Sequence, residues 1–100
     1  MSAYTVYITP DTFQKIKNLP GNIRQRVRKA IGDFADNPRP SDSKMLDVPN
    51  FEPELRRLRL DNWRIVYAIT EADKIVDVLT VRKRPPYDYE DLKTLLENFE

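Results

Sequence analysis

The sequence predicts a single α+β domain over residues 1–100, a helical hairpin followed by an antiparallel meander, in the order β-α-α-β-β-β-α. Three observations predict it. A chain of 100 residues has room for one hydrophobic core and not for two. Apolar residues recur at helical spacing between Ile23 and Phe34, through Val27 and Ile31, and then at a spacing of two beyond Pro53. Between the two patterns lies a connection punctuated by Pro38, Pro40, Pro49 and Pro53.

Tyr4–Ile8, rich in aromatic and β-branched residues, is the first strand. Thr9 then caps a helix that opens on Pro10 and runs through Phe13 and Ile16 to about Asn18. Pro20-Gly21 is a turn into the second helix, whose flank and far side carry Arg24, Arg26, Arg28 and Lys29. Asp36-Asn37-Pro38 stops that helix, because proline disfavours helical geometry in the residue before it. A short strand fits Lys44–Val48. The meander follows as Leu55–Leu60, Trp63–Ile69 and Ile75–Val81, turned by Asp61-Asn62 and by Glu71-Ala72-Asp73. Pro85-Pro86 ends it. Asp88 then caps a terminal helix with Leu92, Leu95, Leu96 and Phe99 on one face.

Composition excludes several chemistries. Without cysteine there is no disulfide, thiol nucleophile or thiolate metal site, and without histidine no Ser-His-Asp triad, histidine ribonuclease pair or zinc-hydrolase ligand set. Two glycines cannot build a phosphate-cradling loop. No metal or cofactor is therefore expected. No apolar run is long enough for a membrane span, and the amino terminus lacks the basic start and apolar stretch of a signal peptide, so a cytoplasmic protein is expected. The formal net charge of +1 conceals an asymmetry: residues 87–100 carry −4 and residues 1–86 carry +5. A basic body is a weak pointer to a polyanionic partner.

The meander sharpens that pointer. Side chains alternate along a strand, so Leu58 and Leu60 share one face with Arg56, while Arg57 and Arg59 share the other with Leu55. Arg64 lies just beyond the hairpin turn, and Arg82-Lys83-Arg84 closes the following strand, three residues before Tyr87. Folding the meander gathers these groups on one face. Guanidinium forks on adjacent strands suit two-point contacts with phosphate oxygens. The bland alternative pairs Arg56, Arg57 and Arg59 with Glu52, Glu54 and Asp61 as a solvated surface. Trp63, Tyr67, Tyr4 and Tyr7 are expected to pack; Tyr87 and Tyr89, behind two prolines, are freer to stack on a base or move a proton.

The order of these pieces resembles the RelE/ParE toxin superfamily of bacterial toxin–antitoxin systems. The resemblance is carried by Tyr4–Ile8, by Asn18-Leu19-Pro20 followed by Ile23-Arg24, and by Asp36-Asn37-Pro38-Arg39-Pro40. The two runs Arg57-Leu58-Arg59-Leu60-Asp61-Asn62-Trp63-Arg64-Ile65-Val66-Tyr67 and Val81-Arg82-Lys83-Arg84-Pro85-Pro86-Tyr87 carry most of it. It implies a helical hairpin packed on a curved antiparallel sheet. RelE-like members cut messenger RNA in the ribosomal A site, ParE-like members poison DNA gyrase, and a cognate antitoxin neutralises both.

By the same resemblance, Arg64 matches an arginine placed near the scissile phosphate and Arg57 a basic position on the preceding strand. Arg59 matches the second arginine of that strand. Arg84 or Lys83 matches the basic residue of the closing strand, and Tyr87 a terminal tyrosine that stacks on a base or assists proton transfer. Leu55 stands where RelE-like enzymes often carry a further lysine. The expectation is a metal-independent endoribonuclease with Arg57, Arg64, Arg84 and Tyr87 as catalytic groups and Arg59, Arg82 and Lys83 binding RNA. Lys83 or Glu54 could replace Tyr87 in proton transfer. The expected partners are an antitoxin protein, the ribosome and messenger RNA, with no membrane and no small-molecule cofactor. A gyrase-directed toxin or a degenerate antitoxin-binding member is the alternative.

Overall fold

The computed structural model describes residues 3–48 and 50–83. Their elements are β1 (Thr5–Ile8), α1 (Pro10–Lys17), α2 (Gly21–Asp33), β2 (Ser43–Leu46), β3 (Glu54–Leu60), β4 (Trp63–Thr70) and β5 (Ile75–Lys83), with a 3-10 turn at Glu71–Asp73. The strands form one sheet in the order β1-β5-β4-β3-β2, antiparallel except where β1 runs parallel to β5. Two helices pack on one face of this sheet, as the sequence predicts. The helix expected from Asp88 onward, with Arg84 and Tyr87 before it, lies outside the described residues.

Local chemistry accounts for the element ends. Thr9 is extended, and its hydroxyl accepts the Thr12 amide at 3.2 Å, with Pro10 in the first turn of α1. The second helix starts directly after Pro20 with no side-chain cap and ends at Asp33, sooner than Pro38 alone would require. At the β3–β4 hairpin, Leu60 pairs with Trp63 across Asp61-Asn62, and Asp61 takes φ 53°.

The main core lies between helices and sheet. Ile16, Ile23, Val27, Ile31 and Phe34 face Leu58, Ile65, Tyr67, Ile69, Val76, Val78 and Val81. Phe34 and Tyr67 stack with ring centroids 4.1 Å apart. The Tyr67 hydroxyl donates to the Pro38 carbonyl at 2.7 Å, tying the chain that leaves α2 to the central strand. Burial pushes the Tyr67 phenol above its ordinary range.

A smaller cluster occupies the other face, where Leu55, Val66, Ala68 and Leu79 pack with Leu46, Val48 and Phe51. Strand β4 is therefore covered on both sides, which explains why Ile65–Ile69 is continuously apolar. Of the aromatics expected to pack, Tyr67, Trp63 and Tyr4 do; Tyr7 is 54% exposed on the edge strand β1.

Charged groups clamp the sheet's corner. The Arg39 guanidinium reaches both Glu54 oxygens at 3.2 Å and below and Glu71 at 2.9 Å, while the Tyr4 hydroxyl donates to Glu71 at 2.9 Å. Arg56 adds a 2.6 Å contact to Glu54, and Lys74 pairs with Glu71. Of the ordinary pairings the sequence allows, Arg56 with Glu54 forms, whereas Asp61 pairs with Arg26 from α2.

Lys74, Arg39 and Tyr4 hold the Glu71 carboxyl down to about 2, and Arg39 and Arg56 hold Glu54 below its ordinary value. In the window from 4.5 down to about 2 the unfolded chain takes up these protons and the folded chain does not. Stability is thus fully present above pH 4.5 and declines toward pH 2; urea midpoints measured across that range should fall, and Arg39→Ala should flatten the fall. Separately, Tyr67→Phe should lower stability by about 1–3 kcal/mol with unchanged denaturant slope, because the buried Pro38 carbonyl loses its donor.

Candidate functional site

The face of the sheet turned away from the helices can be read from cross-strand pairing, since residues directly opposite one another share a face. One row is Leu46–Leu55–Ala68–Asp77–Tyr7 and is largely apolar. The next is Lys44–Arg57–Val66–Thr80. The third, Arg59–Arg64–Arg82, puts three guanidinium stems side by side on adjacent strands. Like charges placed opposite one another oppose sheet formation, so this row is costly unless something anionic meets it.

A bulge makes the third row possible. Between the pairs Val66↔Thr80 and Tyr67↔Val78, β5 holds one residue more than β4, namely Leu79. Without it, Val81 would stand opposite Arg64 and Arg82 opposite Trp63, sending the arginine toward the helix-side core and the valine to the opposite face. With it, Val81 joins the main core and Arg82 stands opposite Arg64. The Thr12 hydroxyl of α1 donates to the Leu79 carbonyl at 2.8 Å and accepts from the Thr9 hydroxyl at 2.7 Å. A helix cap and the bulge are one hydrogen-bonded unit.

The individual residues sit as follows. Arg64 is on the central strand and only 7% exposed; its Nη1 donates to the carbonyls of Asp61 at 2.8 Å and Trp63 at 2.9 Å. The backbone of its own hairpin turn thus orients the guanidinium. Arg57 is half-buried and Arg59 exposed, and both line a groove of about 480 Å³ with Lys44, Arg26, Ser41, Asp42 and Asp61. Lys83 is opposite Trp63 and Glu54 opposite Ile69, so neither belongs to the arginine face. Arg84 and Tyr87 are outside the described residues.

Two cations of this face are not among those the sequence singles out. Lys44 sits opposite Arg57, which only the register of β2 reveals. Lys15, on α1, reaches the Thr80 hydroxyl at 3.3 Å across 65 residues of sequence, and no linear pattern signals it.

Comparison with known proteins follows the same lines. A sequence model describing the ParE toxin of type II toxin–antitoxin systems matches residues 6–85. Among curated proteins, none matches the sequence. The fold is similar to the archaeal RelE–RelB complex from Pyrococcus horikoshii (TM-score 0.75, 23% identity, 85% of this chain and 99% of that one). It is also similar to the toxin–antitoxin complex RelBE2 from Mycobacterium tuberculosis (TM-score 0.66, 27% identity, 84% and 94%). The isolated E. coli RelE toxin aligns with a TM-score of 0.67 at 18% identity, over 92% of this chain and 96% of that one.

If Thr12 pins the bulge, Thr12→Val should speed amide hydrogen exchange over residues 79–82 and cost about 1–3 kcal/mol, while Thr12→Ser keeps the donor and exchanges as the parent does.

Proposed function

The chain belongs to the ParE toxin family of type II toxin–antitoxin systems, within the RelE/ParE superfamily, and we propose that it acts as a RelE-like endoribonuclease on messenger RNA in the ribosome. The observation that carries this reading is the register of Arg59, Arg64 and Arg82 beside Arg57 on one sheet face. A surface that only touches another protein gains little from stacking guanidinium groups in register.

In the proposed reaction the ribose 2′-hydroxyl attacks the adjacent phosphate, giving a 2′,3′-cyclic phosphate and a free 5′-hydroxyl. Charge accumulates on the phosphorane oxygens. One preorganised charged donor aimed there is worth about 3–4 kcal/mol, or roughly 10²–10³ in rate. Arg64, fixed by its own turn, and Arg57 take that part, with Arg84 as the third charged donor; Arg59, Arg82 and Lys83 hold the strand. Lys83 does so from the sheet's end, since its strand position faces the helices.

Proton transfer falls to Tyr87. Glu54 lies on the helix-side face, where Arg39 and Arg56 hold it ionised and weakly basic. Lys83 shares that face. Ribosomal RNA would supply the strained, in-line substrate geometry, so that a chain without histidine needs few groups of its own. A cognate antitoxin is the neutralising partner, as the RelE–RelB and RelBE2 complexes suggest. The match to a ParE model favours a second reading, contact poisoning of DNA gyrase, and Leu55 in place of a lysine is compatible with it.

In vitro translation with purified protein, followed by primer extension, separates the two: cut sites within codons support the nuclease, and intact message with stalled supercoiling supports the gyrase reading. Arg64→Ala should abolish cutting, and Arg64→Lys should restore only part of it, since the charge returns without the two-point geometry. Because truncation also removes the bonds to Asp61 and Trp63, Arg57→Ala is the companion variant; cutting at parental rate in both would sink the assignment. Tyr87→Phe should cost about 10²–10⁴ in single-turnover rate with little change in binding. A silent Phe variant would instead make the ring a stacking platform.

A further inference from the structure

Asp61 and Asn62 turn the β3–β4 hairpin, and of the two only Asp61 has a positive φ, 53°. That is the pattern of the type II′ turn, whose first central position favours glycine. An aspartate there is under backbone strain, and such a residue persists where its surroundings hold it. Its carboxylate and its carbonyl are both bound. The carboxylate accepts a bond from the guanidinium of Arg26, on α2. The carbonyl, part of the central peptide of the turn, accepts from Arg64 Nη1 at 2.8 Å. Arg64 is buried, and the second acceptor of that nitrogen, the Trp63 carbonyl at 2.9 Å, belongs to the same short segment.

Resting on the reading of Arg64 as a donor to the reacting phosphate, we infer that Arg26 is a positioning residue: through Asp61 it fixes the central peptide of the turn, and that peptide aims the Arg64 guanidinium. Asp and Asn both tolerate positive φ, so the pair Asp61-Asn62 also suits the type I′ turn, in which both central residues have positive φ. The two turns differ by rotation of the central peptide, which would swing the Asp61 carbonyl away from Arg64. The bond from Arg26 selects between them. Its base is rigid, because Ile23 and Val27 on either side of Arg26 are buried in the main core. The Arg26–Asp61 pair itself is exposed, 47% and 65% at the side chains, and adds little to stability. Its effect is on geometry. Arg26 also lines a groove with Arg57 and Arg59, so direct contact with a substrate phosphate is the competing role.

The test compares single-turnover cleavage on programmed ribosomes with guanidinium NMR of Arg64, in Arg26→Gln and in the double variant Arg26→Gln/Asp61→Gly. Arg26→Gln should lower the saturating rate about tenfold, with the half-saturating ribosome concentration and the urea midpoint unchanged. The two Nη signals of Arg64, separate in the parent, should merge as the guanidinium rotates. Asp61→Gly supplies the residue that the turn favours, so the double variant should recover both the rate and the separate signals without the tether. Lys29→Gln, which removes another exposed pair of α2, is the control and should cut as the parent does. An unchanged rate and separate Arg64 signals in Arg26→Gln overturn the inference. A raised half-saturation at unchanged rate, or a loss that Asp61→Gly does not repair, makes Arg26 a substrate contact and overturns it too. If the parent cuts no message, the nuclease reading falls by itself, and the Arg64 signals alone decide whether Arg26 positions that side chain.

Discussion

Leu79 is one residue more than the β4–β5 ladder can pair, and the arginine face depends on that surplus. A strand presents alternate side chains to alternate faces, so an unbulged β5 would have to choose between burying Val78 and burying Val81. The bulge lets both enter the core and turns Arg82 outward between them and the chain's end. It also brings the Leu79 side chain into the second apolar cluster. The cost, an unpaired residue in the middle of a sheet, is met by Thr12, whose hydroxyl binds the Leu79 carbonyl from a helix already capped by Thr9. Cap, bulge and site geometry therefore rise or fall together.

The arginines divide by what surrounds them. Arg39 and Arg56 are tied into the Glu54–Glu71 corner and Arg26 to Asp61; the Arg39 and Arg26 pairs span elements that would otherwise drift, while Arg56–Glu54 lies within β3. Their charges are spent on the fold. Arg57, Arg59, Arg64 and Arg82 instead lie in adjacent rows of one face, where like charges stand opposite one another. The scaffold tolerates that arrangement because β4 is buried on both faces and anchored through Tyr67, Phe34 and Pro38. A loosely held sheet would be free to splay. This one is held by its core.

Much of this was legible in the sequence because it depends on short-range periodicity. The alternation in Leu55–Leu60 separates Arg57 and Arg59 from Leu58 and Leu60, and the structure keeps that separation. Thr9-Pro10 marks the start of α1, and Asp61-Asn62 the hairpin. What stayed hidden depends on pairing between distant segments. The partner of β1 is parallel β5, met after the 66 residues from 9 to 74, and nothing local in Thr5–Ile8 selects it over another edge. The bulge is equally silent, since Val78-Leu79-Thr80-Val81 reads as an ordinary strand. Without it, counting by twos puts Arg82 on the wrong face and Lys83 on the right one. The second apolar cluster was masked by the uniform hydrophobicity of Ile65–Ile69, which gives no face a signature.

The same geometry bears on why one fold can host both a nuclease and an inhibitor that cuts nothing. The helix-side core uses Leu58, Ile65, Tyr67, Val78 and Val81, and the proposed chemistry would use the residues between them. Substituting Arg57, Arg59 or Arg82 leaves every one of those core contacts in place, so activity can be lost along a lineage without disturbing the core. Arg64 differs. Buried and bonded to the turn carbonyls of Asp61 and Trp63, it supports the hairpin as well as facing the site. A chain that had abandoned the chemistry would still have a structural reason to retain Arg64. The functional signal is accordingly the company Arg64 keeps, Arg59 on one side and Arg82 on the other, rather than Arg64 alone.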